Sequence, residues 1–236
     1  MYVERSSDAA FVAQAGCRWR TLGLTPERQR SAVGAAWFEL GSHADTRLSS
    51  REDDRLVVVL EGEVALHTGR GDERLGTGDA ALVFAAGSCT VRASGAGARV
   101  LTVWLDSEPA AAPARVVPQR GTDAPLTAEF NTRFRRLPLL PRSAAVDWGA
   151  GLAYIAPADH TTPHSHVDDE AFVILSGHGR LRVGTESCDV RAGDVVHLPS
   201  GAEHTLENLM PHEELGFFCT WWTDFERHRL PQPQPE

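Results

Sequence analysis

The 236-residue chain is long enough for one large domain or for two of about 110–120 residues. Its formal net charge of −9, with 32 acidic against 23 basic residues, argues against a basic nucleic-acid-binding surface. There is no lysine, so neither a lysine Schiff base nor a lysine-anchored pyridoxal phosphate is available.

Taken in chain order, the first residues are polar and contain no apolar run of signal length. No later stretch approaches the roughly 18 apolar residues needed to cross a bilayer. The four cysteines, Cys17, Cys89, Cys188 and Cys219, are scattered and form no CxxC pair. A reducing, cytoplasmic location with buried thiols is therefore the expectation. A short helix is expected over 25–31, with Thr25 as N-cap and Pro26 at the first helical position, and another near 127–130. Otherwise short apolar runs recur at 35–40, 56–60, 80–84, 100–105, 152–156, 171–175, 195–198 and 215–222. Glycine-bearing turns separate them, at Glu61-Gly62, 68–71, 76–78, 176–179 and 191–193. Many short strands with regular turn signals predict an all-β fold of sandwich or barrel type.

The stretch 163–208 carries the chemistry. His164 and His166 are two residues apart and Glu170 is four further on, a spacing that puts all three on one face of a continuous strand. His204 follows a Pro199-Ser200-Gly201 turn and can close the group from a later strand. A lone His-x-His is usually chance. Three imidazoles and a carboxylate with positions left open are what a divalent transition metal requires. His164-x-His166, Glu170 and Gly177 resemble the first motif of the cupin superfamily. Gly193, Pro199, Gly201, His204 and Asn208 resemble its second motif. The resemblance implies metal ligation by His164, His166, Glu170 and His204. One departure is Ala158, where the family has a turn glycine.

The halves of the chain repeat. Gly62 matches Gly177, Gly78-Asp79 matches Gly193-Asp194, and 37–40 falls on 152–155, all at one constant offset. The resemblance then implies two tandem cupin (jelly-roll) barrels, a bicupin. The boundaries expected are a barrel over 1–108, a proline- and alanine-rich linker over 109–125, a second barrel over 126–229 and a tail over 230–236. In the first half Ser49, Arg51, Arg55 and Cys89 stand where the four ligands stand in the second. A guanidinium repels a cation and one buried thiol cannot hold it alone, so only the C-terminal barrel is expected to bind metal.

The expected pocket is mainly apolar, with Phe172, His197 and Trp221 as substrate contacts and Tyr154 and His160 as candidate acids or bases. Asp169 is expected to be solvated. The function implied is that of a metal-dependent enzyme on a small organic molecule, most readily an iron(II) dioxygenase. Manganese, zinc or nickel and a redox-neutral isomerase, cyclase, lyase or hydrolase form the alternative, and a non-catalytic binding bicupin is a third. No nucleic-acid or membrane partner is expected. A homodimer is, with arms at 2–12 and 115–117 exchanged between subunits.

Overall fold

A computed structural model describes residues 2–8, 10–24, 33–48, 55–69, 71–84, 89–105, 115–123, 125–137 and 146–224. The helix expected over 25–31 lies outside them, as do Ser49 and Arg51. The N-terminal half holds β1 (Tyr2–Glu4), β2 (Val12–Gln14), β3 (Cys17–Leu22), β4 (Val33–Leu40), β5 (Asp45–Arg47), β6 (Arg55–Thr68), β7 (Gly71–Gly76), β8 (Ala80–Phe84) and β9 (Thr90–Leu105). The C-terminal half holds β10 (Arg115–Gln119), β11 (Thr127–Glu129), β12 (Thr132–Arg136), β13 (Val146–Ile155) and β14 (Asp169–Ser176). It continues with β15 (His178–Val183), β16 (Glu186–Arg191), β17 (Val195–Leu198), β18 (His204–Asn208) and β19 (Leu215–Asp224). The fold is all-β, as the strand and turn pattern predicted, and takes the form of two tandem jelly-roll barrels, as the resemblance implied. Among the described residues no helix is long and apolar enough to cross a membrane.

Each barrel is built around one large sheet, ordered β10-β8-β6-β9-β4-β3-β2 in the first and β1-β17-β14-β19-β13-β12-β11 in the second. A smaller sheet, β16-β15-β18, closes the second barrel. The central strands of the large sheets are buried on both faces, which is why they read as unbroken apolar runs rather than as alternation. In β6, Val57 and Val59 point into the first barrel, while Leu56 and Val58 point into a core shared with the other half. In β14, Phe172 and Ile174 point into the second barrel, and Ala171 and Val173 into the same shared core. Trp37, Trp148, Phe218 and Trp222 fill that shared layer.

The helix expected near 127–130 is not formed. This segment has no apolar stripe to bury, and β11 pairs instead with β12 in a tight hairpin, Glu129 opposite Thr132. The two turn residues, Phe130 and Asn131, have φ of 47° and 60°, the left-handed pair that matches strand twist in two-residue hairpins.

The arms are exchanged, but within one chain. β1 pairs with β17 of the second barrel, Tyr2 opposite His197. β10 pairs with β8 of the first barrel, Val117 opposite Leu82. The segment expected as a linker therefore contains a barrel strand. The two exchanges are related by the internal repeat, and equivalent aspartates fasten them. Asp194 accepts from the Ser6 amide at 2.8 Å and pairs with Arg5 at 3.0 Å. Asp79 accepts from the Gly121 amide at 2.8 Å and pairs with Arg120 at 3.2 Å. Where exchange between subunits was expected, both arms pair here with the chain's own other half.

Asp194 is buried and also accepts from the Arg191 amide at 3.0 Å. Replacing it by alanine strands several donors at once. Asp194→Ala should lower unfolding free energy by about 2–4 kcal/mol. Hydrogen exchange should quicken in residues 2–8, read by denaturant titration and mass spectrometry.

Candidate metal centre

Glu170 lies near the start of β14 with its side chain on the inner face of the C-terminal barrel. His204 opens β18 on the facing sheet. The sequence reading put His164 and His166 on the same strand as Glu170. β14 begins only at Asp169, and both histidines ride on the loop before it. That loop is pinned to β18 by a two-way bridge, with the His164 amide 3.2 Å from the His204 carbonyl and the His204 amide 2.9 Å from the His164 carbonyl. One nitrogen from each of His164, His166 and His204 lies within 4.8 Å of the others. Glu170 Oε2 is 3.0 Å from His166 Nε2 and 3.5 Å from His204 Nε2.

All three rings are oriented in the same way. Nδ1 of His164 donates to the Thr162 carbonyl at 2.8 Å, Nδ1 of His166 to Asp168 at 2.9 Å, and Nδ1 of His204 to Ala202 at 3.0 Å. A neutral imidazole that donates at Nδ1 carries its lone pair at Nε2. Nε2 of His204 is buried with no hydrogen-bond partner, and that of His166 faces a carboxylate oxygen. A lone pair against a carboxylate at 3.0 Å is favourable only with a proton or a cation between them. The donor set fits a divalent transition metal: three imidazoles, one carboxylate and about two open positions of six.

The electrostatics agree. Burial alone would push the Glu170 carboxyl up, but the neighbouring imidazoles of His166 and His204 together outweigh this and hold it below the usual carboxylate range. The bond to Glu170 raises His166 above an ordinary imidazole, with burial opposing. Burial keeps His164 low.

Two residues of the motifs are structural. Asn208 is buried, and its amide donates to the carbonyls of Ile155, Ala156 and Glu213 at 3.1, 3.0 and 2.8 Å. It therefore ties the end of β18 to the end of β13 and to the approach to β19. Ala158, where a glycine was expected, has φ of 55°. That conformation costs a non-glycine residue roughly 1–2 kcal/mol, and the Ala158 amide bond to the Met210 carbonyl at 3.0 Å helps to hold it.

A cavity of about 220 Å³ opens beside the donor set. Phe172, Phe217 and Trp221 wall it, and Glu129, Phe130, Phe134 and Arg136 from the β11–β12 hairpin form its mouth. Trp221 lies flat because β13 offers Gly149 beneath it, where a Cβ would stand 2.3 Å from the indole. Phe130 stacks on His164 with ring centres 4.1 Å apart.

Of the expected substrate contacts, Phe172 and Trp221 line the cavity and His197 does not. His197 has the opposite parity from Leu198, stacks near Trp222 and lies 3.2 Å from Asp169 on the far side of the sheet. Asp169 is correspondingly buried, not solvated. Tyr154 packs against the inter-barrel core, because its neighbours Ala153 and Ile155 take the barrel interior. His160 is exposed beside Asp159 and outside the cavity wall. Neither Tyr154 nor His160 is placed to act as an acid or base on a ligand in the cavity. Conversely, the hairpin residues Glu129, Phe130 and Arg136 were missed. Reading 127–130 as helix hid the strand alternation Thr132, Phe134, Arg136 that would have shown them.

The first barrel has no equivalent centre among the described residues. Arg55 pairs with Val83 and Trp104 as Glu170 pairs with Leu198 and Trp221. Its guanidinium lies 4.7 Å from the Trp104 ring centre. Cys89, at the place of His204, has its thiol pushed up to about 11 by burial, against the pull of Arg55.

Comparison with known proteins gives a consistent setting. Residues 151–219 match the Cupin domain family. The dimethylsulfoniopropionate lyase DddW of Ruegeria pomeroyi is 31% identical over 100 residues, which cover 42% of this chain and 64% of that protein. An uncharacterized protein of Streptomyces coelicolor, SCO3923, is 34% identical over 44 residues, 19% of this chain and 42% of its own length. The chain thus spans less than two thirds of the length of either curated relative. Among solved structures, the oxalate decarboxylase of Lactobacillus farciminis superposes with a TM-score of 0.74 at 14% identity, covering 95% of this chain and 88% of that one. The oxalate decarboxylase of Bacillus subtilis gives 0.73 at 14% identity, covering 94% and 77%. A further structure of that enzyme is described by its Mn(II) centres.

Two outcomes test the centre. The His164→Ala, His204→Ala double variant should fold but lose its bound metal, measured by elemental analysis beside circular dichroism. Metal affinity should also fall with pH. His166, raised by Glu170 in the metal-free protein, takes up a proton as pH drops through its elevated pKa, and that proton competes with the cation at Nε2. Calorimetric titration with Mn(II) at mildly acidic and neutral pH should show the weaker binding on the acid side.

Proposed function

We infer that this bicupin, a member of the cupin superfamily, is a metal-dependent lyase acting on a small organic acid in its C-terminal barrel. The observation that carries the reading is the convergence of one nitrogen from each of three histidines, with Glu170 beside them, in the wall of a largely apolar cavity. The similarity to a dimethylsulfoniopropionate lyase and to decarboxylase folds supports the choice of chemistry. The iron(II) dioxygenase that the resemblance implied finds no support among the relatives of named activity, a dimethylsulfoniopropionate lyase and oxalate decarboxylases. The redox-neutral alternative takes its place. A purely binding role is disfavoured because the donor set is intact.

His164, His166, His204 and Glu170 would hold the metal, and the ion would supply Lewis-acid polarisation of a carboxylate or carbonyl oxygen. The chain's own part is orientation and exclusion of water. The three bonds from Nδ1 to carbonyls fix the rings before a ligand arrives. Phe172, Phe217 and Trp221 keep water from the reacting end, so that charges there act at low dielectric. Asp168 and Glu129 are the lining carboxylates outside the donor set and are the proton acceptors available for an elimination. Asp168 is oriented by the Thr223 hydroxyl, which donates to it. Manganese is the first metal to test, followed by iron, zinc and nickel. A cytoplasmic homodimer remains part of this reading, formed through surfaces other than the exchanged arms.

The test is anaerobic turnover. Mn(II)-loaded protein is incubated with oxalate, dimethylsulfoniopropionate and other β-substituted propionates, and products are followed by NMR and headspace analysis. Cleavage without oxygen, abolished in the double histidine variant, is the expected result. Turnover that requires oxygen would restore the oxygenase reading.

A further inference from the structure

The hairpin at the cavity mouth carries an arginine to which the metal chemistry assigns no part. β12 directs Phe134 and Arg136 to the cavity side, and among the described residues Arg136 is the one arginine in the lining. Its guanidinium carbon lies 5.6 Å from the ring centre of Phe134 and 5.6 Å from that of Trp221. The two rings hold the guanidinium at the rim, where it gains cation–π attraction. Its charge partner is Glu129, across the hairpin, with Nη2 donating to Oε2 at 2.8 Å. The Arg136 side chain is 60% exposed and that of Glu129 25%. A pair this exposed contributes little to stability and exchanges partners readily. A planar fork in a largely apolar cavity, lightly held by a carboxylate, suits a second carboxylate that can displace the first.

We propose that Arg136 is the specificity-determining residue of this site. It binds a carboxylate of a small organic acid whose other oxygen donor reaches the three-histidine end, and Glu129 holds the guanidinium until the acid displaces it. This rests on the reading of the cavity as an organic-acid site and names how the acid is selected. The competing possibility is that Glu129 and Arg136 are only a surface pair of the hairpin. The two differ in sign. If Glu129 competes with the ligand, removing its charge tightens binding. If the pair only supports the hairpin, removing either partner weakens binding alike.

The experiment is calorimetric titration of Mn(II)-loaded protein with malonate, succinate and glutarate, each against its monoamide. In the unmodified protein the best diacid should bind at least roughly tenfold more tightly than its monoamide. Arg136→Gln should abolish that preference, and Glu129→Gln should tighten the diacid several-fold. The opposite signs cannot arise from misfolding, and thermal melts of both variants provide the control. An undiminished preference in Arg136→Gln would overturn the proposal. So would weaker binding in Glu129→Gln, or no diacid binding to the loaded protein at millimolar concentration. Because binding is read without turnover, a failure of the lyase assay leaves this result standing, and the converse also holds.

Discussion

The candidate centre depends on three hydrogen bonds that touch no metal. Each histidine spends Nδ1 on a backbone carbonyl, of Thr162, Asp168 or Ala202, and so presents Nε2 to a common point. Each of these carbonyls belongs to a residue two positions from its histidine. The local chain path therefore sets the ring, and whatever sets the path sets the centre. The bridge between His164 and His204 joins loop to strand, and Asn208 clamps the end of β18 to the end of β13, where the loop starts, and to the approach to β19. The cost of gathering three imidazoles around a buried carboxylate is met by backbone geometry that would persist without a ligand.

The second constraint is the internal repeat. Two copies of one unit pack large sheet to large sheet and bury a core belonging to both. They exchange first strands, and equivalent aspartates, Asp79 and Asp194, fasten the exchange. Neither barrel is complete from its own half of the sequence. This gives the first barrel a structural part although its described residues hold no metal centre: it supplies β1 and one wall of the shared core. It also explains why Arg55 is tolerated in a barrel interior. Its guanidinium is covered by Trp104, the counterpart of the indole that walls the cavity in the second barrel.

Much of this was legible from residues alone, because the constraints were local. Glycines at φ of 83°, 84°, 86° and 89° (Gly62, Gly78, Gly177 and Gly193) mark turns that only glycine makes cheaply, so their spacing exposed the repeat. The ligand set stood out because imidazoles and a carboxylate at fixed spacings are rarely useful for anything else. Ala158 shows the limit of that logic. The left-handed turn is kept although the glycine is not, since the hydrogen bonds around it enforce the conformation.

By itself the sequence determined the all-β class, the two tandem units and the four candidate donors, since each follows from strand periodicity, turn residues or donor chemistry over a short span. It did not determine which side chains share a space with those donors. Tyr154 and His197 are near the donors in sequence or register but face the inter-barrel core, because sheets buried on both faces remove the polar alternation that would have shown their direction. Glu129 and Arg136 are far in sequence yet line the cavity, because a two-residue turn with both residues left-handed folds β11 onto β12. The arms, too, could have paired with another copy. The repeat placed an equivalent edge within the same chain, and only the tertiary structure decided that they would use it.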